Sequence, residues 1–117
     1  MIKSFRDLTV WQKSFDLVKD VYRLAGKLPS TERYGLCDQI RRCGVSIPSN
    51  IAEGSNRGTR KDFIQFLRIA YGSSAELETQ LLLVNELYNE NIDKEMIVLI
   101  EVQKMLSGLI ASLSTKN

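Results

Sequence analysis

Phe63, Leu67, Ala70, Ser74, Leu77, Leu81, Val84 and Tyr88 recur at intervals of 4-3-4-3-4-3-4. The mean interval of about 3.5 residues is the repeat with which one helix keeps a single seam against its neighbours in a left-handed bundle. A strand turns its side chains to the opposite face at every residue and has no use for such spacing. The segment is therefore a helix, predicted over residues 60–89 and about 45 Å long at about 1.5 Å per residue. Thr59 is placed to cap it, with Asp62 at its third position. Gly72, Ser73, Ser74 and Ala75 put small residues at its middle. A glycine inside a helix costs about 1 kcal/mol, so this waist predicts the close approach of another backbone.

Three further amphipathic segments fill the rest of the chain, and no alternating strand pattern of useful length occurs. The first is predicted over residues 9–27, capped by Asp7 or Thr9 and stopped by Pro29. Its leading apolar stripe is Trp11, Phe15, Val18, Tyr22 and Ala25, with Leu17, Val21, Leu24 and Leu28 beside it. The second, 32–54, follows Ser30 or Thr31 and carries Leu36, Ile40, Cys43, Ile47 and Ile51. Pro48 lies inside it and removes a backbone N–H, so a kink is expected where the stripe runs on past Gly44. The fourth, 94–114, carries Val98, Val102, Met105, Leu109 and Leu113, widened by Leu99, Leu106 and Ile110. Short turns between four such helices define an all-α, up-down-up-down antiparallel four-helix bundle, read as a single domain over 1–117.

The apolar faces of helices 1, 3 and 4 are wider than one bundle needs, which predicts a homo-oligomer. No window approaches the roughly 20 apolar residues of a membrane span, and the N-terminus lacks an apolar signal core. A cytoplasmic protein without a membrane role is expected. Cys37 and Cys43 are six residues apart on one helix. That separation turns them by about 240° and rules out a disulfide within the chain. Charge is divided unevenly. Residues 1–68 hold 13 Lys/Arg and 7 Asp/Glu, a net +6, whereas residues 69–117 hold 3 and 7, a net −4. One part of the molecule is thus a candidate surface for an anionic partner, unless the halves neutralise each other on folding or assembly.

Several stretches carry a family resemblance: Asp7–Lys13 (DLTVWQK), Tyr34–Leu36, Gln39–Arg42, Ser46–Gly54 (SIPSNIAEG) and Phe66–Gln80 (FLRIAYGSSAELETQ). Together they resemble the four-helix-bundle proteins encoded by intervening sequences within bacterial 23S ribosomal RNA genes. The resemblance implies assembly into a ring-like homopentamer. It also implies kinship with the accessory variability protein of diversity-generating retroelements, a basic pentameric bundle that binds a reverse transcriptase and nucleic acid. It carries no established enzymatic activity. Cys43-Gly44 stands where that family usually has alanine after the paired arginines.

Enzyme chemistry finds little purchase. The chain has no histidine, so the commonest general base and metal ligand is missing, and with it the Glu-x-x-His motif of di-iron bundles. Neither a Walker nor a Rossmann glycine pattern is present. No catalytic residue, metal site or cofactor is expected. Glu53 and Glu76 lie near small residues and read first as structural ion pairs with Arg41, Arg42 or Arg68, second as ligand contacts. Ser46, Ser49 and Asn50 flank Pro48. They either satisfy the carbonyls that the proline frees or form a polar notch. Arg57, Arg60 and Lys61 surround the turn into helix 3. Arg68 lies two turns beyond Lys61 on the same face, and Arg41 and Arg42 lie on helix 2. Arginines beside a helix N-terminus suit phosphate. Base-stacking aromatics are scarce, since Trp11, Phe15, Phe63 and Phe66 fall on apolar stripes and leave Tyr34 and Tyr71. Contacts to an RNA or DNA backbone are therefore expected, with RNA favoured and little base reading. The alternative is a protein-interaction scaffold that docks a nucleic-acid-processing enzyme.

Overall fold

The computed structural model describes residues 4–115. Four helices dominate it: α1 Thr9–Ala25, α2 Leu36–Ser55, α3 Arg60–Tyr88 and α4 Asp93–Ser114. Short 3-10 turns at Phe5–Asp7 and Ser30–Glu32 precede α1 and α2, and no strand occurs among the described residues. The helices form a rod of 49 × 20 × 19 Å. Each packs on its neighbours in the chain, α4 closes the ring by packing on α1, and the diagonal pairs keep their Cα atoms more than 8 Å apart.

The cross-helix partners run in opposite numerical order. Gly44, Arg41 and Cys37 of α2 meet Val21, Tyr22 and Ala25 of α1. Cys43, Ser46 and Gly54 of α2 meet Gln80, Ser73 and Phe66 of α3. Lys13 and Asp20 of α1 reach Glu101 and Lys94 of α4 through ion pairs of 3.4 and 3.3 Å.

The seam on α3 lies where its spacing predicts. Leu67, Ala70, Ser74, Leu77, Leu81 and Val84 are fully buried, with Phe63 and Tyr88 half-buried at its ends. Burying each leucine stabilises the fold by about 1.5–3 kcal/mol. Ser74 fits because its hydroxyl donates to the Tyr71 carbonyl at 2.6 Å, which satisfies the group and leaves a small filler. Thr59 caps the helix, its Oγ1 accepting from the Asp62 N–H at 3.1 Å. Asn89, in the left-handed region at φ 54°, ends it.

On α2 the expected stripe of Ile40, Cys43, Ile47 and Ile51 is buried, whereas on α1 and α4 the core is shifted from the leading stripe toward the second one. On α1 it is Val10, Ser14, Leu17, Val21 and Leu24, whereas Trp11 and Val18 are half-buried and Phe15 and Tyr22 exposed. On α4 it is Leu99, Val102 and Leu106, and the stripe of Val98, Met105, Leu109 and Leu113 is half-buried at its edge. Neither Asp7 nor Thr9 caps α1, whose N-cap is Leu8. Helix α2 starts at Leu36, later than Ser30 or Thr31 would place it, because Glu32 closes the entry. Its carboxylate accepts from the Leu36 N–H at 3.1 Å and from the Tyr88 hydroxyl. The helix then runs through Pro48 without a break. Cys37 and Cys43 are buried free thiols.

Within the small-residue waist, Ser73 and Ser74 pack, but Gly72 does not serve the close approach expected of it. A Cβ on Gly72 would meet nothing within 4 Å, so no backbone of this chain approaches there. The close approach is at Gly54, where a Cβ would lie 2.6 Å from the Phe66 Cβ.

One expectation fails on composition. Helix α4 is long and apolar enough to cross a membrane by those criteria, and only 17% of its most apolar window is buried. Glu101 and Lys104 interrupt the apolar run.

Candidate nucleic-acid interface

The turn from α2 to α3 is built on Gly58, whose φ of 94° a residue with a side chain rarely adopts. It sets Arg57 behind and Arg60 and Lys61 ahead at the start of a 29-residue helix. The first N–H groups of such a helix carry partial positive charge. Arg60 and Lys61 are exposed and line a hollow of about 490 Å³ with Ile64, Gln65, Leu113 and Ser114, where α3 begins and α4 ends. Arg68 lines a neighbouring hollow of about 430 Å³ on the α3–α4 seam, with Tyr71, Gly72, Ser107 and Ile110. Arg60, Lys61 and Arg68 form no ion pair among the described residues.

The other basic candidates are engaged or distant. Arg57 pairs with Glu53 at 3.0 Å and lies 4.8 Å over the Phe66 ring. Arg42 pairs with Asp38 at 3.0 Å, and Arg41 lies 5.3 Å over the Tyr22 ring. Arg41 and Arg57 are sixteen residues apart on or just beyond α2, roughly 24 Å along the axis. The six residues therefore form two groups. Arg57, Arg60, Lys61 and Arg68 lie toward the end where α3 begins, the last three without an ion pair among the described residues, and Arg41 and Arg42 belong to another part of the surface.

The acidic candidates separate as well. Glu53 makes its pair with Arg57, not with Arg41, Arg42 or Arg68. Glu76 makes no ion pair among the described residues. It stands by Cys43, whose thiol is pushed up to about 11, mainly by burial and further by the Glu76 carboxylate, against the opposing hydrogen bond from Gln80. Such a thiol is a poor nucleophile at neutral pH.

The groups around Pro48 brace α2 against α3 and do not mend the helix. Asn50 donates to the Ser46 carbonyl at 2.8 Å and to its hydroxyl at 2.9 Å. The Ser46 hydroxyl meets that of Ser73 at 2.8 Å, tying α2 to α3. None of the three donates to the Gly44 carbonyl that Pro48 leaves free, among the hydrogen bonds of the described residues. Ser49 faces away from them into a hollow of about 340 Å³ between α1 and α2.

That hollow is the feature the sequence reading missed. Trp11 and Phe15 stack at 4.9 Å, Phe5 meets Trp11 edge-on at 5.2 Å, and Val18, Val45, Pro48 and Ala52 complete the walls. The signal was present: the Trp11–Tyr22 stripe is a second apolar face on α1, opposite small residues on α2.

A four-helix fold with unpaired cations where α3 begins and, among the described residues, no converging acids defines a helical-bundle class with a candidate polyanion surface. No group of three or more metal-ligating side chains occurs among the described residues. The model of the 23S rRNA-intervening sequence protein family matches residues 6–108, and the chain belongs to that family. A solved structure from Bacteroides thetaiotaomicron, a protein of unknown function from the S23 ribosomal protein family, is similar throughout. It shares 27% identity at a TM-score of 0.77, covering 87% of this chain and 95% of that one. No curated protein matches the chain.

Proposed function

We propose that this chain is a non-enzymatic, homo-oligomeric bundle that binds the backbone of nucleic acid, RNA by preference, through the end where α3 begins. The observation that carries the reading is the set of free cations Arg60, Lys61 and Arg68 on one seam, followed by a stretch from Ile69 to Asp93 with no Lys or Arg at all. The opposite numerical order of cross-helix partners supports an up-down-up-down course. Exposed Leu87, Ile97 and Ile100, together with the uncovered face of α4, support assembly. The pentamer and the choice of RNA rest on the family. Assembly would multiply a three-cation patch into a surface with useful avidity.

Fluorescence anisotropy against structured RNA and duplex DNA across a salt series tests the reading. Affinity should fall steeply with salt, and Arg60→Ala with Lys61→Ala should flatten the logarithmic salt slope by about 2. No binding at micromolar protein in low salt refutes it. A protein that co-purifies and survives nuclease would favour the scaffold reading, with the cations against an acidic protein surface.

A further inference from the structure

We propose that the hollow between α1 and α2 is a socket for the outer face of α3 from a second copy of this chain, so that copies join head to tail. The proposal rests on the homo-oligomer reading above and assigns its two surfaces.

The socket is aromatic and unfilled. Trp11, Phe15, Val18, Val45, Pro48 and Ala52 line it, and Phe15 remains 47% exposed. It exists because α2 presents Ser49 and Ala52 opposite the large rings of α1, so the two helices cannot fill the space between them. Lys19 is the only charged residue in its walls. Arg41 and Arg42 lie in the adjoining hollow beyond Val45. Asp16 pairs with Lys19 and Asp38 with Arg42, which leaves Arg41 as the excess positive charge of the rim.

The matching surface is on the same chain. Behind the buried seam of Leu77, Leu81 and Val84, α3 turns Leu82, Leu83 and Leu87 to solvent, and Leu87 is 61% exposed. Leu83 and Leu87 are one turn apart and form a continuous ridge. Around them stand Glu86 and Glu90, in the stretch that lacks any Lys or Arg. An apolar ridge with an acidic rim thus complements an apolar socket with a basic rim. The ridge cannot fill its own socket: it lies at the Tyr88 end of α3, beside Glu32, whereas Trp11, Phe15, Pro48 and Ala52 lie toward the other end of the rod, and no Cα of α1 comes within 8 Å of one of α3. Socket and ridge are different patches, so the contact is heterologous. Each joint leaves one socket and one ridge free, and the chain of joints closes into a ring where the rotation allows.

Phe15→Asp spoils the socket, and Leu87→Asp spoils the ridge. Both residues are exposed, so circular dichroism should show the helices intact. Sedimentation of the full chain should find an oligomer for the wild type and a 13.3 kDa monomer for each variant. An equimolar mixture of the two variants should give a one-to-one dimer and nothing larger, because only one good socket and one good ridge survive. Ser49→Trp, which fills the hollow from α2 without touching the core, should behave as Phe15→Asp does and guards against a folding defect. Trp11 is the only tryptophan, and its emission should shift to the blue on dilution-reversible assembly of the wild type. A wild type that is monomeric overturns the oligomer reading itself. An oligomeric wild type with an oligomeric Phe15→Asp or Ser49→Trp overturns this assignment and leaves that reading standing. A Leu87→Asp monomer that forms no dimer with Phe15→Asp overturns it in favour of ridge pairing with ridge.

Discussion

Gly54→Ala should destabilise the bundle although alanine is the better helix former. The added Cβ would lie 2.6 Å from the Phe66 Cβ, 3.2 Å from the Phe63 Cδ1 and 3.4 Å from the Phe63 carbonyl oxygen. Carbon atoms rest at about 3.5–4.0 Å, so the contact must open by about 1 Å. The nearest neighbour is a Cβ bonded directly to the α3 backbone, and no rotamer change removes it. The two helices must separate or tilt where their packing is tightest. Forced overpacking of this kind costs about 1–3 kcal/mol. Helix propensity returns at most about 1 kcal/mol, and less in the last turn of α2, where Gly54 sits. The net loss is about 1–2 kcal/mol, or about 4–8 °C in Tm for a domain of this size. Thermal and urea unfolding by far-UV circular dichroism, at matched protein concentration, measures it. Gly72→Ala is the internal control, since its Cβ meets nothing within 4 Å; in the isolated bundle it should gain up to about 1 kcal/mol. A Gly54→Ala protein as stable as the wild type would refute the claim that α2 and α3 meet backbone to backbone.

Three further outcomes follow from the polar contacts. Asp20, nearly buried, accepts from Arg23 at 2.6 Å and faces Lys94 at 3.3 Å; both cations are largely exposed, so Asp20→Ala should cost about 1 kcal/mol in urea unfolding at low salt, less at high salt. Stability should decline as pH rises from about 9 toward about 11, because the unfolded chain releases the Cys43 proton near its ordinary value of 9.0 while the folded thiol holds it to about 11; Cys43→Ala should remove that part of the alkaline slope. The Tyr88 hydroxyl, and after it the Leu36 N–H, lower the Glu32 pKa, so Glu32 stabilises the fold above the ordinary carboxylate range and loses that effect as pH falls through its lowered value. Tyr88→Phe should raise the Glu32 pKa toward the ordinary value in an NMR titration.

The buried seam of α3 was legible because a sustained 4-3 spacing marks it, whereas the apolar Leu82, Leu83 and Leu87 outside that spacing and the open surface at Gly72 were not. Helix α1 was not, since it carries two adjacent apolar stripes and periodicity cannot rank them. Aromatic bulk pointed to Trp11, Phe15 and Tyr22, yet the bundle buries the smaller Val10, Leu17 and Val21 and uses Ser14 as filler, its hydroxyl returned to the Trp11 carbonyl at 2.9 Å. The start of α2 was hidden because Glu32 caps Leu36 from outside the helix, with a carboxylate held from the far end of α3. No local pattern encodes a contact between residues 32 and 88. The basic candidates were legible as residues but not as a surface. Whether an arginine is free depends on neighbours such as Asp38 and Glu53 one turn away, and whether two arginines are close depends on which end of the rod each occupies.

Helix α4 presents two readings of one apolar surface, and its polar contacts separate them. In the middle of its most apolar stretch Glu101 pairs with Lys13 of α1, and Gln103 donates to Glu78 of α3 at 2.8 Å. Moving α4 into a bilayer would break both and place a carboxylate in hydrocarbon, where a charge costs several kcal/mol even by lenient scales. It would also uncover the core that Leu99, Val102 and Leu106 now close. These contacts favour the bundle over the bilayer for α4, and the bare part of its surface then fits the assembly proposed above. That bare surface occurs on the same chain that leaves an aromatic socket empty on α1 and α2. A contact confined to one patch would satisfy only one of the two; the joint assigned to the α1–α2 socket and the α3 ridge leaves the bare surface of α4 to a second contact.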